Sequence, residues 1–255
     1  MVEKKILIII QARIGSSRLP GKVLKKILGK PILWHIVKRL KSIKNKKIII
    51  STSKNIKDKK IVNFCKKNNL NYFIGDEKNV LDRFYKTAKK FKAKNIVRIT
   101  GDCPLIDSKI INKLVKLYFS KNYDHVGVAT GAGVNNIRLN KFPDGLDAEC
   151  FNFKTLEKAW LNAKTISEKE HVTPYIWKRK KKFKVGILES KKNYSNFRWT
   201  LDNKDDFKLI KILYKNLYNK NKNFYMDDIV KYFKKNPQIS NLNKKYVGKE
   251  RYEKI

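Results

Sequence analysis

Short apolar runs and amphipathic stretches alternate through the first half of the chain, which is the sequence form of repeated βαβ units and a mainly parallel sheet. The apolar runs at residues 5–10, 47–51, 72–74, 95–99 and 125–129 predict strands. Between them, Ile32, Ile36, Val37 and Leu40 recur at helical spacing, as do Ile110, Ile111, Leu114, Val115, Leu117 and Tyr118, and each set predicts a crossover helix. From residue 131 to 149 the periodicity gives way to Gly, Asn and Asp, which predicts loops and a short strand beside a site. Helices are expected again at 154–163 and 167–180, strands at 184–188 and 198–201, and helices at 205–217 and 227–235. After Pro237 the chain is polar and lysine-rich, and a loosely attached tail over 237–255 is expected. With no internal repeat and no long linker, residues 1–236 are expected to form a single α/β Rossmann-like domain, its mixed sheet flanked by helices.

At 255 residues and 30.0 kDa such a domain buries a core without covalent or metal staples. Cys65, Cys103 and Cys150 show neither paired number nor metal-ligand spacing, so a reducing, cytoplasmic setting is expected. The apolar run at 6–10 is too short for a signal-peptide core or a membrane span, and no membrane partner is expected. The formal charge of +39, from 61 basic against 22 acidic side chains, taken alone suggests nucleic acid. The lysines are spread along the whole chain beside abundant Ile and Asn, however, rather than gathered on one element with stacking aromatics. No nucleic-acid partner is expected on that ground, and a basic nucleic-acid-binding module stands as an alternative.

Candidate chemistry begins where the first strand ends, in the segment from Gln11 to Lys22. A strand running into a Gly/Ser turn presents backbone N–H groups at the carboxyl edge of the sheet, and Arg13, Arg18 and Lys22 add three cations suited to a triphosphate. The segment fits neither the Walker A pattern nor the dinucleotide GxGxxG pattern, and by its chemistry alone it also fits an ordinary solvated turn. Asp102 follows the run at 95–99 and is placed at the same edge. A capping role for it is less apt because Asp107 or Ser108 stands closer to the next helix.

The segment Gln11–Lys22 resembles the signature of the cytidylyltransferase family that includes CMP-KDO synthetase and the acylneuraminate cytidylyltransferases, most closely its spore-coat polysaccharide (SpsF-like) branch. The resemblance extends in order through Ile50-Ser51-Thr52-Ser53, Val80-Leu81-Asp82-Arg83-Phe84, residues 98–107 around Asp102, residues 143–149, residues 170–175 and Arg198-Trp199-Thr200-Leu201-Asp202. It implies a nucleotide-diphospho-sugar transferase (GT-A-like) fold, with a nucleotide-binding half over about 1–130 and an acceptor-binding half over about 131–236. It further implies transfer of CMP from CTP to a small acidic sugar-like acceptor with release of pyrophosphate, in surface polysaccharide biosynthesis, and a homodimer.

On this reading Gln11, Ala12, Arg13, Gly15, Ser16, Ser17, Arg18, Lys22, Thr52, Thr100 and Gly101 contact the nucleotide. Arg13, Lys22 and Asp102 carry the catalysis. Asp102 and Asp202, each expected at the end of a strand, would share Mg²⁺ with the triphosphate, since Mg²⁺ takes few protein carboxylates beside phosphate oxygens and water. Asp202 has the alternative of capping the helix that follows. Asp144, Asp147 and Glu149 alternate so that the last two share a face, and they bind acceptor hydroxyls or a second metal, or else pair with neighbouring lysines. Asp82, Arg83, Glu170, His171 and Arg198 complete the expected acceptor contacts, with Arg138 and Arg198 as anchors for an acidic group. Glu170 to Thr173 is expected to begin a helix, while His35 and His125 read as packing residues. The sequence departs from the KDO and neuraminate enzymes at Thr100 and Cys103, and the 144–149 block belongs to the SpsF-like branch, so the acceptor stays open. A metal-dependent glycosyltransferase using a nucleotide-sugar donor is the other enzymatic alternative, though Asp102-Cys103-Pro104 lacks the second acid of a DxD site.

Overall fold

Alternate side chains of the first strand, β1 (Ile6–Gln11), sort into two cores: Ile6, Ile8 and Ile10 join one buried cluster, Leu7 and Ile9 the other. An isoleucine run with no polar face is what a strand covered on both sides requires. The computed structural model describes residues 5–130 and 141–248. Arg138, expected as an anchor, lies outside the described residues, as does the first part of the loop expected from 131.

The remaining strands are β2 (Lys26–Ile27) and β3 (Lys30–Pro31), which pair as a small hairpin, then β4 (Lys46–Ser53), β5 (Asn71–Gly75), β6 (Asn95–Thr100), β7 (His125–Val128), β8 (Ala148–Asn152) and β9 (Val185–Leu188). Among the described residues, β1 and six of these form one sheet in the order β5-β4-β1-β6-β8-β7-β9, in which β8 runs antiparallel to both neighbours and the other pairs are parallel. The helices are α1 (Ile32–Leu40), α2 (Lys59–Lys67), α3 (Val80–Lys90), α4 (Ser108–Ser120), α5 (Phe153–Asn162), α6 (Ile166–His171), α7 (Pro174–Trp177), α8 (Lys204–Leu213), α9 (Met226–Lys235) and α10 (Pro237–Ser240). Buried residues of α1, α2, α4, α8 and α9 fill the first core, and those of α3, α5 and α7 the second, giving three layers with the sheet in the middle.

From β1 the chain builds outward to β4 and β5 on one side, then crosses back to β6 on the other. The carboxyl ends of β1 and β6 therefore part at a topological switch point, where open α/β sheets leave a crevice. Because β8 is reversed, its first residues open onto the same edge.

Three expectations need correction. Residues 198–201 are not a strand of the sheet; a single bridge links Arg198 to Asp144, and Trp199, fully buried, is anchored by its N–H donating to the Asp144 carbonyl at 2.6 Å. The helix expected over 167–180 is two short helices, broken at Val172 (φ 74°), where the Thr173 N–H donates back to the His171 carbonyl at 2.9 Å in a γ-turn. Glu170 and His171 thus end a helix instead of beginning one. The expected loose tail is instead packed through the last described residue but a few: α10 follows α9, Ile239 and Leu242 lie against the core, and Asn243 is buried.

Candidate active site

Gly101 fixes the closest approach at the switch point. Its N–H donates to the Gln11 carbonyl at 2.8 Å, and a Cβ there would meet that same oxygen at 2.8 Å and Val23 at 3.2 Å. Above it the β1 loop is drawn down by Asp58, which accepts from the Ile14 N–H at 2.7 Å through one oxygen and from Thr52 Oγ1, the Ser53 N–H and Ser53 Oγ through the other. Gly21 (φ 67°) then turns the chain into the short 3-10 helix that carries Lys22.

The loop that carries Asp102 is held as firmly. Arg39 donates to the carbonyls of Ile106 and Phe224, Tyr214 Oη donates to the Pro104 carbonyl at 2.7 Å, and the Leu201 N–H donates to the Asp102 carbonyl at 2.8 Å. That last bond sets Asp202 beside Asp102. Asp107, as expected, caps α4, accepting from the Lys109 N–H at 2.8 Å. The helix after Asp202 is capped by Asn203 and Asp206, which leaves the Asp202 carboxylate for the site.

These elements enclose a cavity of about 660 Å³. Lys22 sits at its centre: Nζ donates to Asp102 Oδ2 at 2.8 Å and to Asp202 Oδ1 at 2.6 Å. Burial alone would lower the Lys22 pKa, but the two carboxylates reverse this and hold the ammonium charged well above its usual range. Burial likewise pushes Asp102 up, and Lys22 overrules it, so that its carboxyl titrates below the ordinary value. Arg18 approaches Asp202 Oδ1 at 3.4 Å, and Arg13 lies 4.0 Å from Glu170.

Across β6 the lining changes character. Asp147 accepts from Thr130 Oγ1 at 2.5 Å and from the Gly145 N–H at 2.8 Å, yet burial still raises its carboxyl to about 6. Glu149 is engaged on every side. Arg98 Nη1 donates to it at 2.6 Å, His125 Nε2 at 3.0 Å and Thr173 Oγ1 at 2.7 Å, and against the cost of burial Arg98 and His125 pull its carboxyl down to about 2. His125 is therefore a carboxylate partner rather than apolar packing, whereas His35 packs as expected, bonded to the Ile27 carbonyl and set against Tyr214. The γ-turn at Val172 is what lets Thr173 reach Glu149 while His171 lines the cavity. Burial and Arg98 lower the His171 pKa, leaving the ring uncharged at neutral pH.

Of the residues expected from sequence, Gln11, Ala12, Arg13, Gly15, Ser16, Ser17, Arg18, Lys22, Arg83, Thr100, Gly101, Asp102, Asp144, Asp147, Glu149, Glu170, His171 and Asp202 line this one cavity. Arg83 does so from α3, its guanidinium also donating to the Asp76 carbonyl, and burial beside Arg13 draws its pKa down to about 10. Three residues sit elsewhere. Thr52 is buried beneath the loop on Asp58; Asp82 accepts from Trp160 Nε1 at 3.0 Å and pairs with Lys86; Arg198 is buried among Asp144, Asp202 and Asp206. Arg98 and Thr200 line the cavity without having been singled out from sequence. An arginine within the apolar run at 95–99 was the available signal for the first.

Asp102 and Asp202 form a pair of oxygen donors converging on one point. Among the described residues no group of three or more His, Cys, Asp or Glu side chains gathers into a metal cage. A two-carboxylate set fits Mg²⁺, which keeps water and phosphate oxygens as its other ligands.

A profile of the family described as cytidylyltransferase matches residues 7–228. The chain is 41% identical over 244 residues to an uncharacterised protein of Methanocaldococcus jannaschii, with 94% of each covered. It is 32% identical over 217 residues to the spore coat polysaccharide biosynthesis protein SpsF of Bacillus subtilis, covering 82% of this chain and 86% of that one. The solved structure of a cytidylyltransferase from Leptospira borgpetersenii superposes with a TM-score of 0.84 at 32% identity, over 92% of this chain and 96% of that one.

Proposed function

Since the chain belongs to the cytidylyltransferase family, we propose that this cavity binds CTP and transfers CMP to a hydroxyl of a small acidic sugar-like acceptor, releasing pyrophosphate. The observation that carries the reading is the convergence of Lys22, Asp102 and Asp202 at the switch point, directly under the Arg13–Arg18 loop. The loop and its two arginines receive the triphosphate, for which a strand-end turn with cations is suited. Asp102 and Asp202 would hold Mg²⁺, which when bound would neutralise phosphate charge and act as a Lewis acid on the triphosphate. Lys22, released from the carboxylates that hold it, moves onto the phosphates and stabilises the charge that grows on departing pyrophosphate.

The acceptor lies on the β8 side. Its hydroxyl oxygen forms a bond to the α-phosphorus as the bond from that phosphorus to the bridging oxygen breaks, the hydroxyl proton passes to water, and pyrophosphate carries away the electron pair. Asp144 and Asp147 accept from acceptor hydroxyls. Arg98 and His171 face the same space and take the anchoring role that the sequence suggested for Arg198, Arg98 doing so as a fixed cation oriented by Glu149. Similarity to SpsF supports a place in surface polysaccharide biosynthesis.

The test is pyrophosphate release from each nucleoside triphosphate with Mg²⁺ and a panel of sugar acids and phosphorylated polyols. CTP is expected to be turned over in preference to ATP, GTP and UTP. Thermal stabilisation by UDP- or GDP-sugars with no response to any triphosphate would instead assign glycosyl transfer.

A further inference from the structure

We infer that the C-terminal strap, residues 237–248, belongs to the reaction machinery through Asn243, a positioning residue that fixes Asp202 and Asp144 from behind the cavity; the inference rests on the proposed cytidylyl transfer. The strap lies beyond residue 228, where the family profile ends. Asn243 is 1% exposed in a segment whose composition is that of a solvated tail. Its Nδ2 donates to Asp206 Oδ1 at 2.7 Å and to the Arg198 carbonyl at 2.9 Å.

Those two partners are the hub behind the site. Asp206, itself fully buried, accepts from Arg198 Nε at 3.1 Å and Nη2 at 3.3 Å and from the backbone N–H groups of Asp202 and Asn203 at 3.0 and 2.9 Å. Arg198 in turn extends Nη1 to Asp144 Oδ2 at 2.9 Å and Nη2 to Asp202 Oδ2 at 3.0 Å, two carboxylates that line the cavity. One guanidinium thus serves three carboxylates, and its division among them is set by how well Asp206 is satisfied from elsewhere. The Asn243 amide supplies that satisfaction as a neutral donor, without adding a charge that would compete with Lys22 for Asp202. If the amide is removed, Asp206 Oδ1 loses a donor in a buried setting, and the nearest remedy is for Arg198, already on both Asp206 oxygens through Nε and Nη2, to draw closer to Asp206 and away from Asp202 and Asp144. The strap is held at its far end by Lys245 Nζ, 2.8 Å from Asp205 Oδ2 on the surface, which touches none of this network.

The test compares Asn243→Leu, close in volume but without donors, with Asn243→Gln, which keeps both donors, and with Lys245→Ala as a surface control. Crystal structures of the unliganded proteins are expected to show the Arg198 bonds to Asp144 and Asp202 lengthened or lost, its bonds to Asp206 shortened, and Asp202 displaced in Asn243→Leu but not in Lys245→Ala. In turnover assays Asn243→Leu is expected to raise the half-saturating Mg²⁺ concentration and lower kcat, each by about tenfold, as loss of a group orienting a metal ligand does. Asn243→Gln is expected to recover part of both, and Lys245→Ala to match wild type. Should Asn243→Leu fail to fold, Asn243→Ser is measured in its place. Wild-type kcat and Mg²⁺ dependence in the folded Asn243 variant, whatever its melting temperature, reduce the strap to packing and overturn the inference. If the wild-type enzyme turns over no CTP, the functional reading has failed by itself; the inference is then decided by the crystal structures, and an unmoved Arg198 and Asp202 overturn it.

Discussion

Lys22 stands between Asp102 and Asp202, and its ammonium holds the buried Asp102 carboxyl below the ordinary value. Lys22→Ala and Asp102→Ala should each lower kcat by about a hundredfold or more, read in the pyrophosphate assay, because each removes charge stabilisation made at the transferring phosphoryl group. Lys22→Ala should also remove the counter-charge that Asp102 and Asp202 share, leaving Asp202 only its arginines, so Mg²⁺ should raise its melting temperature more than that of wild type. Glu149 gives a pH signature. Its carboxyl is held at about 2 against an ordinary 4.5, so its contribution to stability is present above 4.5 and is lost as pH falls toward 2. Unfolding of Glu149→Gln should therefore be less steep in pH across that window, with a loss on the order of 3 kcal/mol at neutral pH. The loop residues that line the cavity, from Gln11 to Lys22, were legible because they stand together in one continuous segment, whereas Thr52, on another strand, proved to lie beneath the loop. Arg198 was misread because its partners lie 4, 8 and 54 positions away, and an exposed anchor and a buried hub have the same side chain in a sequence.

At the scale of elements, strands such as β1 and β6 were legible from runs of Ile and Val, since burial on both faces leaves little choice of residue. Residues 197–202 escaped that logic. They run along Asp144 and Asp102 through single bonds rather than a ladder, and the burial of Trp199 gives them the composition of a strand. The break at Val172 left no sign either, because a β-branched residue at positive φ is the opposite of what a turn selects; there the packing overrides local preference. Two glycines test how tightly these elements hold the site. Gly145→Ala, at φ 95° with its added Cβ overlapping the Trp199–Thr200 backbone, should cost about 3 kcal/mol in urea unfolding and shift Asp144 and Asp147 together. Gly101→Ala should cost about 1–3 kcal/mol, as it forces β1 and the Asp102 loop apart at the Gln11 carbonyl.

For the molecule as a whole, the net charge of +39 does not describe the cavity, whose lining combines Arg13, Arg18, Lys22, Arg83 and Arg98 with six carboxylates, Asp102, Asp144, Asp147, Glu149, Glu170 and Asp202. The basic excess belongs to exposed lysines, so any retardation of duplex DNA in a gel should vanish near physiological salt, about 0.15 M. Retention at that salt would restore nucleic acid as a partner. The three-layer architecture followed from the order of elements. The closure of the fold by the strap did not, because its lysines and asparagines resemble a solvated tail until Asn243 is seen beneath Arg198. The measurement that bears most directly on the account is a crystal structure with CTP and Mg²⁺ bound. It should place the triphosphate under the Arg13–Arg18 loop, the metal on Asp102 and Asp202, and Lys22 Nζ moved from those carboxylates onto the phosphates. A triphosphate seated away from the loop, or Lys22 still bridging Asp102 and Asp202 with CTP at full occupancy, would contradict it.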